Sequence, residues 1–253
     1  MTQRTPLIAG NWKMHKTVPE AVDTTRQLVD LTADVTDVEM MIAPPSTALA
    51  PMAEQLKTSK IALGGQNLFW EKQGAYTGEL SAEMLLSAGC SHVLIGHSER
   101  RQYFGETDET VNKRTRAALN AGLVPVLCIG ETEAERDAGK TFSVLDKQVI
   151  NGLEGLFSDD LGNLVIAYEP VWAIGTGKTA SDDQAQEAHK YIRDLVERQF
   201  GKALANAIRI LYGGSVKTSN VKALMAMPDV DGALVGGASL EADSFSQLAH
   251  YQM

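Results

Sequence analysis

The sequence has few cysteines, and they do not form a pattern that binds metal. Among 253 residues only Cys90 and Cys128 are present, and neither a C-x-x-C pair nor a zinc-ligand spacing occurs. Both lie in apolar stretches, which indicates buried free thiols in a reducing cytoplasm. We therefore predict a cytoplasmic protein with no metal site.

Positive charge and long apolar runs are also scarce. The net charge of -9 argues against a surface for nucleic acid or anionic lipid. No apolar run is long enough to span a bilayer, and the first residues carry too short an apolar stretch for a signal peptide. The chain, 44% hydrophobic and 22% charged, has the composition of an ordinary soluble protein with neither a nucleic-acid nor a membrane partner.

Two Gly-Lys-Thr triplets look like nucleotide-binding loops but lack the required spacing. Neither the triplet at 177–179 nor that at 139–141 has the glycine five positions ahead that a Walker A loop needs. Residues 175–180 match the loose G-x-G-x-x-A pattern of dinucleotide sites. The acidic residue about 20 positions on, Glu197, lies in a helical pattern rather than at a strand end. Both nucleotide-binding interpretations are rejected.

Short β-branched or aliphatic runs alternate with helical patterns along the whole chain. Their mean spacing is about 32 residues, 253 divided by eight. The predicted strands are residues 6–10, 38–43, 60–65, 91–96, 124–130, 164–170, 208–214 and 231–237. Helical patterns between them include 21–31, 81–89, 107–122 and 181–200.

This alternation predicts a parallel sheet with helices on its outside. The strands are apolar almost throughout, as expected where both faces are covered, and parallel neighbours require right-handed crossovers. Eight even units favour a single (β/α)8 barrel domain over residues 1–253, with a doubly wound open sheet as the competing architecture. In either fold, ligands bind beyond the carboxyl ends of the strands.

Four polar residues stand at those predicted strand ends. Asn11 and Lys13 follow strand one, His97 follows strand four, and Glu169 ends strand six. Taken singly, Lys13 is an ordinary solvated residue and His97 an ordinary structural histidine. Together at one end of one fold, they indicate a catalytic site. Alternation along strand one further predicts that Asn11 and Lys13 face one side of the strand, whereas Trp12 and Met14 face the other side.

Glycine-rich junctions follow the last two predicted strands. Gly213-Gly214-Ser215 and Gly236-Gly237 precede helical patterns, where exposed backbone N–H groups bind an anion such as phosphate. A carboxylate base, neutral donors and a held phosphate suit proton abstraction beside a carbonyl, with a cation near the developing enolate oxygen. The sequence has no cluster of carboxylates of the kind that metal-assisted hydrolysis requires. It also has no Gly-x-Ser-x-Gly elbow, which argues against a serine hydrolase.

Ordered motifs along the whole chain resemble those of the triosephosphate isomerase family. They are AGNWKMHK, IGHSERRQYFGETDETVNKR, PVLCIGETEAERDAGKT, AYEPVWAIGTGKTA, YGGSVK and DGALVGGASL. The resemblance implies a (β/α)8 barrel that needs no cofactor. It also implies a substrate pair, dihydroxyacetone phosphate and glyceraldehyde 3-phosphate, interconverted through an enediol or enediolate in glycolysis and gluconeogenesis.

The resemblance implies a role for each catalytic position. Glu169 would be the base that moves the proton between two carbons. His97 would polarise the carbonyl as a neutral imidazole, a behaviour for which this family is a standard example. Lys13, with Asn11 beside it, would supply positive charge, and Glu99 would order Lys13.

The resemblance also implies a mobile lid over a phosphate site. Residues 173–180 match the family's lid, with one hinge at 170–172 and the other at 178–180. Its closure would bring the Gly175 N–H to the phosphate and exclude water from the enediolate. Three further residues, Ser215, Gly236 and Gly237, would complete the phosphate site.

A long connection at 64–80 has two interpretations. It carries three aromatic residues, and as a self-packed loop it would bury them against itself. The family resemblance instead implies a homodimer in which Thr77, at the tip, reaches the partner's active site. His15 departs from the asparagine common in the family at this position, and we expect it near the interface, where it would make dimer strength depend on pH.

Two other functions remain open at this point. A Schiff-base aldolase on the same barrel would use Lys13 as its nucleophile. A non-catalytic sugar-phosphate binder would keep the fold and the phosphate site but would have no need of the base Glu169.

Overall fold

Eight parallel strands close into a barrel in chain order. The computed structural model describes residues 4–176 and 178–252; Gly177, within the predicted lid, lies outside the described residues. The strands are β1 (Leu7–Asn11), β2 (Glu39–Ala43), β3 (Ile61–Gly65), β4 (His92–Ile95), β5 (Val124–Ile129), β6 (Val165–Tyr168), β7 (Arg209–Tyr212) and β8 (Gly232–Val235). Because β1 pairs with both β2 and β8, the sheet has no edge. The predicted barrel is confirmed, and the open-sheet alternative is wrong.

Helices cover the outside of the barrel. They are α1 (Val18–Leu31), α2 (Leu49–Leu56), α3 (Ala82–Ser87), α4 (Ser98–Phe104), α5 (Asp108–Ala121), α6 (Glu133–Asp137), α7 (Thr141–Gly152), α8 (Asp182–Phe200), α9 (Lys202–Ala207), α10 (Val221–Met225) and α11 (Ala242–Ala249). The connections after β4, β5 and β6 each hold two of these helices. None of the described helices is long and apolar enough to cross a membrane.

Alternation along the strands divides the apolar residues into two layers. One layer fills the barrel interior and the other packs between strands and helices. Leu7 and Ala9 of β1 belong to the interior layer, and Ile8 belongs to the outer one. Cys128 is a free thiol in the interior, which confirms its predicted place in the core. Every second residue of a strand thus points into the barrel and belongs to an inward series. A polar residue at the carboxyl end of such a series lies at the mouth of the barrel.

Helix starts follow the capping residues in the sequence. Ser181 accepts a hydrogen bond from the Gln184 N–H, and the Gln184 side chain accepts one from the Ser181 N–H. The helix predicted at 181–200 is thereby confirmed at Asp182–Phe200. The first helix begins at Val18, three residues before its predicted start, because Thr17 caps it.

We expect the protein to lose stability as the pH falls from about 6.5 to about 4, partly because two buried histidines resist charging. Burial lowers the pKa of both His92 and His189 to about 4. The unfolded chain takes up these protons at a higher pH than the folded protein does. Each histidine therefore lowers the free energy of unfolding by about 3 kcal/mol across that range. Urea unfolding between pH 7 and 4 measures the loss, and His189→Gln should flatten the curve.

His250 provides a control of opposite sign. Its Nδ1–H donates to Ser246 O (2.8 Å) and its Nε2 lies 3.1 Å from the Asp34 carboxylate, and both contacts raise its pKa. His250 therefore stabilises the fold at acid pH and loses that effect as the pH rises. His250→Asn should steepen the same curve, and parallel curves for the two variants would contradict the assignment.

Candidate active site

The predicted site residues meet in a cavity of about 460 Å³ at the carboxyl ends of the strands. Eight of them line it, namely Asn11, Lys13, His97, Glu169, Gly175, Ser215, Gly236 and Gly237. Of the other two, Glu99 stands just behind Lys13, while Thr77 is exposed on the 64–80 connection. A single cavity thus collects residues from strands one, four, six, seven and eight.

Glu169 reaches the cavity because it continues the inward series of β6. Val165 and Ala167 lie in the barrel interior, and Glu169 is the next residue of that parity, 2% exposed. Two glycines make room for it. A Cβ at Gly130 would overlap the Glu169 carbonyl, and one at Gly213 would lie 2.8 Å from the Glu169 Cγ. The first glycine after β7 therefore makes room for the Glu169 side chain.

The Glu169 carboxylate is paired at both oxygens. Oε1 lies 3.0 Å from His97 Nε2, and Oε2 accepts a hydrogen bond of 2.8 Å from the Ser98 N–H. Burial by itself would raise the pKa of Glu169, but these two partners outweigh it and lower the pKa. The carboxylate is therefore ionised and able to accept a proton.

His97 lies beyond β4, where it caps the N-terminus of α4. Gly96, at φ 70°, ends the strand alternation and turns the imidazole into the cavity. Nδ1 accepts a hydrogen bond from the Glu99 N–H (3.2 Å), which places the ring proton on Nε2, facing Glu169. Burial lowers the pKa of His97, but the carboxylates of Glu169 and Glu99 together raise it above its ordinary value. His92 stays within β4 and does not approach this site.

Lys13 stands in a turn rather than in a continued strand. Its φ is 50°, in the left-handed region, and its ammonium forms an ion pair with Glu99. The prediction that Asn11 and Lys13 share the cavity side is confirmed. The companion prediction for Trp12 and Met14 is wrong, because Trp12 is fully buried whereas Met14 is 94% exposed. The turn at Lys13 ends the two-residue period.

The glycine turn after β8 leaves open space on the cavity side. A Cβ at Gly237 would touch nothing, and one at Gly236 would meet only Lys13 Cε, at 3.5 Å. The buried Trp12 indole donates to Ser239 O (2.8 Å) and ties this turn to the end of β1. Gly175, exposed at φ 70°, faces the same cavity from the predicted lid.

Glu131 supports the predicted lid beside the site and was not among the residues predicted from the sequence. It is fully buried after β5, accepts from Tyr168 (3.1 Å) and from the Trp172 indole (3.0 Å), and pairs with Arg136 (3.0 Å). Trp172 belongs to the predicted first hinge of the lid, so Glu131 anchors that hinge in this conformation. An acid directly after an apolar strand end was the available signal.

The connection at 64–80 packs partly on itself, as the loop interpretation requires. Phe69 stacks on Trp70 at 4.0 Å between ring centroids and contacts the tilted ring of Tyr76 at 4.5 Å. Arg114 lies over the Trp70 ring and donates to Leu68 O. The tip that holds Thr77 remains exposed and outside the cavity of its own chain.

Metal-binding side chains do not cluster in the described ranges. No group of three His, Cys, Asp or Glu residues between 4 and 252, Gly177 aside, is placed to hold a metal ion. The chemistry available in the cavity is that of a buried carboxylate, an imidazole, an ammonium and backbone N–H groups.

Comparison with known proteins agrees with the fold. A sequence model of triosephosphate isomerase matches residues 6–252. Triosephosphate isomerases of Geotalea uraniireducens and Geobacter metallireducens are 58% and 59% identical, over 98% of this chain and 99% of theirs. The crystal structure of triosephosphate isomerase from Bartonella henselae superposes with a TM-score of 0.89 at 40% identity, covering 98% of this chain and 99% of that one.

A closed parallel barrel with a carboxylate and an imidazole paired at the carboxyl ends of its strands defines a (β/α)8-barrel enzyme of the acid–base type. Within that class, the chain belongs to the triosephosphate isomerase family.

Proposed function

We propose that Glu169, His97, Lys13 and Asn11 catalyse the reaction of this family in this chain. That reaction interconverts dihydroxyacetone phosphate and glyceraldehyde 3-phosphate by proton transfer through an enediol or enediolate, a step of glycolysis and gluconeogenesis. The single observation that carries the proposal is the buried Glu169 carboxylate facing His97 Nε2 at 3.0 Å in a cavity with Lys13.

The proton transfer follows from this geometry. A triose bound between Glu169 and His97 presents a C–H bond to the carboxylate, which takes the proton and returns it at the neighbouring carbon. The Nε2–H of His97 polarises the carbonyl oxygen. Once substrate separates the pair, the influence of Glu169 on the imidazole weakens, and burial with the N–H at Nδ1 favours the neutral ring.

Charge on the oxygen and the phosphate requires further donors. The Lys13 ammonium lies on the cavity wall and stabilises the developing enediolate, with the Asn11 amide beside it. Ser215, Gly236 and Gly237 bind the phosphate through hydroxyl and backbone N–H donors. Closure of the lid adds the Gly175 N–H and excludes water, a role for which loop closure in this family is a standard example.

Glu99 favours this reaction over Schiff-base chemistry. The Lys13 side chain is engaged in an ion pair with Glu99, whereas an aldolase nucleophile must be an uncharged amine free to attack a carbonyl. A sugar-phosphate binder would gain nothing from burying an ionised carboxylate, which is costly to desolvate.

Proton NMR of the purified protein with glyceraldehyde 3-phosphate in D₂O, with EDTA present, tests the proposal. Dihydroxyacetone phosphate carrying solvent deuterium is the expected product, and a Glu169→Gln variant from the same host must be inactive to exclude contaminating isomerase. Borohydride trapping of a Lys13 adduct, without isomerisation or exchange, would establish the aldolase alternative instead.

We also propose a cytoplasmic homodimer whose protomers are single barrel domains. Two unpaired buried thiols, Cys90 and Cys128, support the reducing compartment. Exposed apolar side chains support the dimer: Met14 is 94% exposed, and Phe104, at 68%, shares a cleft with the base of the 64–80 connection. In the dimer, Thr77 would reach towards the active site of the partner.

Replacing Met14 with arginine is expected to dissociate the dimer, because it places a charge in the apolar contact. Sedimentation should give twice 27.3 kDa for the wild type and a mass near 27.3 kDa for the variant. Because His15 is exposed beside Met14, association is to be compared at about pH 5.5 and pH 8. Identical association at both values would remove the pH effect, and a monomeric wild type would contradict the dimer.

A further inference from the structure

The backbone of Lys13 adopts a conformation that disfavours residues with side chains. Among the described residues other than glycine, only Lys13 and Lys16 have a positive φ. A left-handed lysine is costly and persists only where surrounding contacts hold it. The strained turn serves the site, because it carries the Lys13 side chain along the cavity wall towards Gly236 and Glu99.

Two hydrogen bonds hold the Lys13 peptide groups. Its N–H donates to Asn11 Oδ1 at 2.9 Å, and its carbonyl accepts from Gln66 Nε2 at 2.8 Å. The second proton of the Gln66 amide goes to Ala43 O at 2.9 Å. Gln66 directly follows β3, Ala43 ends β2, and Lys13 follows β1, so one side chain joins the ends of three neighbouring strands.

We propose that Gln66 is a positioning residue, which holds Lys13 in its left-handed turn and thereby aims the ammonium at the substrate. This inference rests on the function proposed above. Gln66 does not line the cavity itself.

The Lys13 carbonyl depends on Gln66 more than the Ala43 carbonyl does. Ala43 O also accepts from the Trp12 N–H at 3.0 Å, whereas Gln66 is the only donor to Lys13 O within the part of the chain that the structure describes. Loss of the amide therefore frees the turn that bears the lysine and leaves the end of β2 paired. We therefore expect the loss of the Gln66 amide to lower kcat/KM more than it lowers the free energy of unfolding.

A double-mutant cycle separates positioning from general structural support. Gln66→Met keeps the length of the side chain and removes both donors. We expect kcat/KM to fall about tenfold to a hundredfold, with a higher inhibition constant for inorganic phosphate, because a small misplacement of a charged group is costly in rate. In a Lys13→Met background the same replacement should change kcat/KM less than about twofold. Equal losses in both backgrounds would overturn the proposal.

The isosteric Gln66→Glu variant gives an independent readout, which also applies where Gln66→Met does not fold. An ionised carboxylate facing two carbonyl oxygens repels both, whereas its protonated form regains one donor. Its kcat/KM relative to wild type should therefore rise as the pH falls from about 8 to about 6. A ratio that stays constant with pH overturns the proposal.

The wild-type assay distinguishes the two possible failures. An inactive wild type would defeat the proposed function and this inference with it. An active wild type with unaltered kcat/KM in both Gln66 variants would defeat the role of Gln66 alone.

Discussion

Replacing Glu169 with glutamine is expected to lower kcat by about 10³-fold to 10⁴-fold while leaving the fold and phosphate binding intact. The carboxamide has nearly the shape of the carboxylate and still offers an oxygen to the Ser98 N–H, now 2.8 Å from Oε2. It cannot accept the substrate proton, so the transfer step is lost. Steady-state kinetics measures the loss of kcat, and the inhibition constant of inorganic phosphate shows whether binding is unchanged.

The same variant should lower the pKa of His97. In the wild type, burial lowers that pKa, whereas the charge of Glu169, its hydrogen bond to Nε2 and the charge of Glu99 together raise it above its ordinary value. Glutamine removes the raising charge and leaves burial and the Glu99 N–H at Nδ1, both of which favour the neutral imidazole. A titration of the imidazole by ¹⁵N NMR checks the direction.

Glu99→Gln is the matched control for that titration. Glu99 also raises the pKa of His97, but less than Glu169 does. Its replacement should therefore lower the pKa by a smaller amount. An unchanged His97 pKa in Glu169→Gln would contradict the pairing, and retained kcat would exclude Glu169 as the base.

Alternation along the strands was sufficient to place the residues that continue an inward series. Asn11 follows Leu7 and Ala9, and Glu169 follows Val165 and Ala167, so the sequence alone brought both to the mouth of the barrel. Barrel closure was predictable for a related reason, since eight apolar runs of even spacing leave no natural edge strand.

The residues set by turns were harder to place. Gly96 and Lys13 adopt positive φ values, so the chain leaves the two-residue period at the points where His97 and Lys13 enter the cavity. The prediction for Met14 failed for this reason. Gln66 and Glu131 act through contacts with segments distant in the sequence. A local sequence pattern does not predict which side chains meet once the barrel has formed.

At the opposite end of the barrel, replacing Arg193 with methionine is expected to cost about 3–5 kcal/mol of folding free energy. Arg193, on α8, pairs with Asp229 at 2.7 Å and Asp231 at 2.5 Å, and donates to the carbonyls of Ala205 and Ile208 at 2.7 and 3.0 Å. Methionine fills the volume of the stem but leaves two carboxylates and three carbonyls, those of Ala205, Ile208 and Asp229, without these donors in a largely buried site.

The largest part of that cost falls on Asp231. Its Oδ2 also accepts from the Ile210 N–H at 2.9 Å, and its Oδ1 pairs with Arg4 at 2.5 Å, so the carboxylate is held from β7 and from the N-terminal segment. The remaining partners cannot replace the lost donor, because Arg4 is already engaged at the other oxygen. Urea unfolding should show the loss at constant m-value.

An exposed pair on the same helix gives the comparison. Lys190 and Asp194 lie 2.7 Å apart at 61% and 46% side-chain exposure, so Lys190→Met should leave the unfolding midpoint almost unchanged. Both variants should keep wild-type kcat/KM at a temperature where they remain folded, because α8 meets this network at the amino ends of β7 and β8, away from Glu169. Equal unfolding midpoints for the two variants would show that the buried network contributes no more than a surface ion pair.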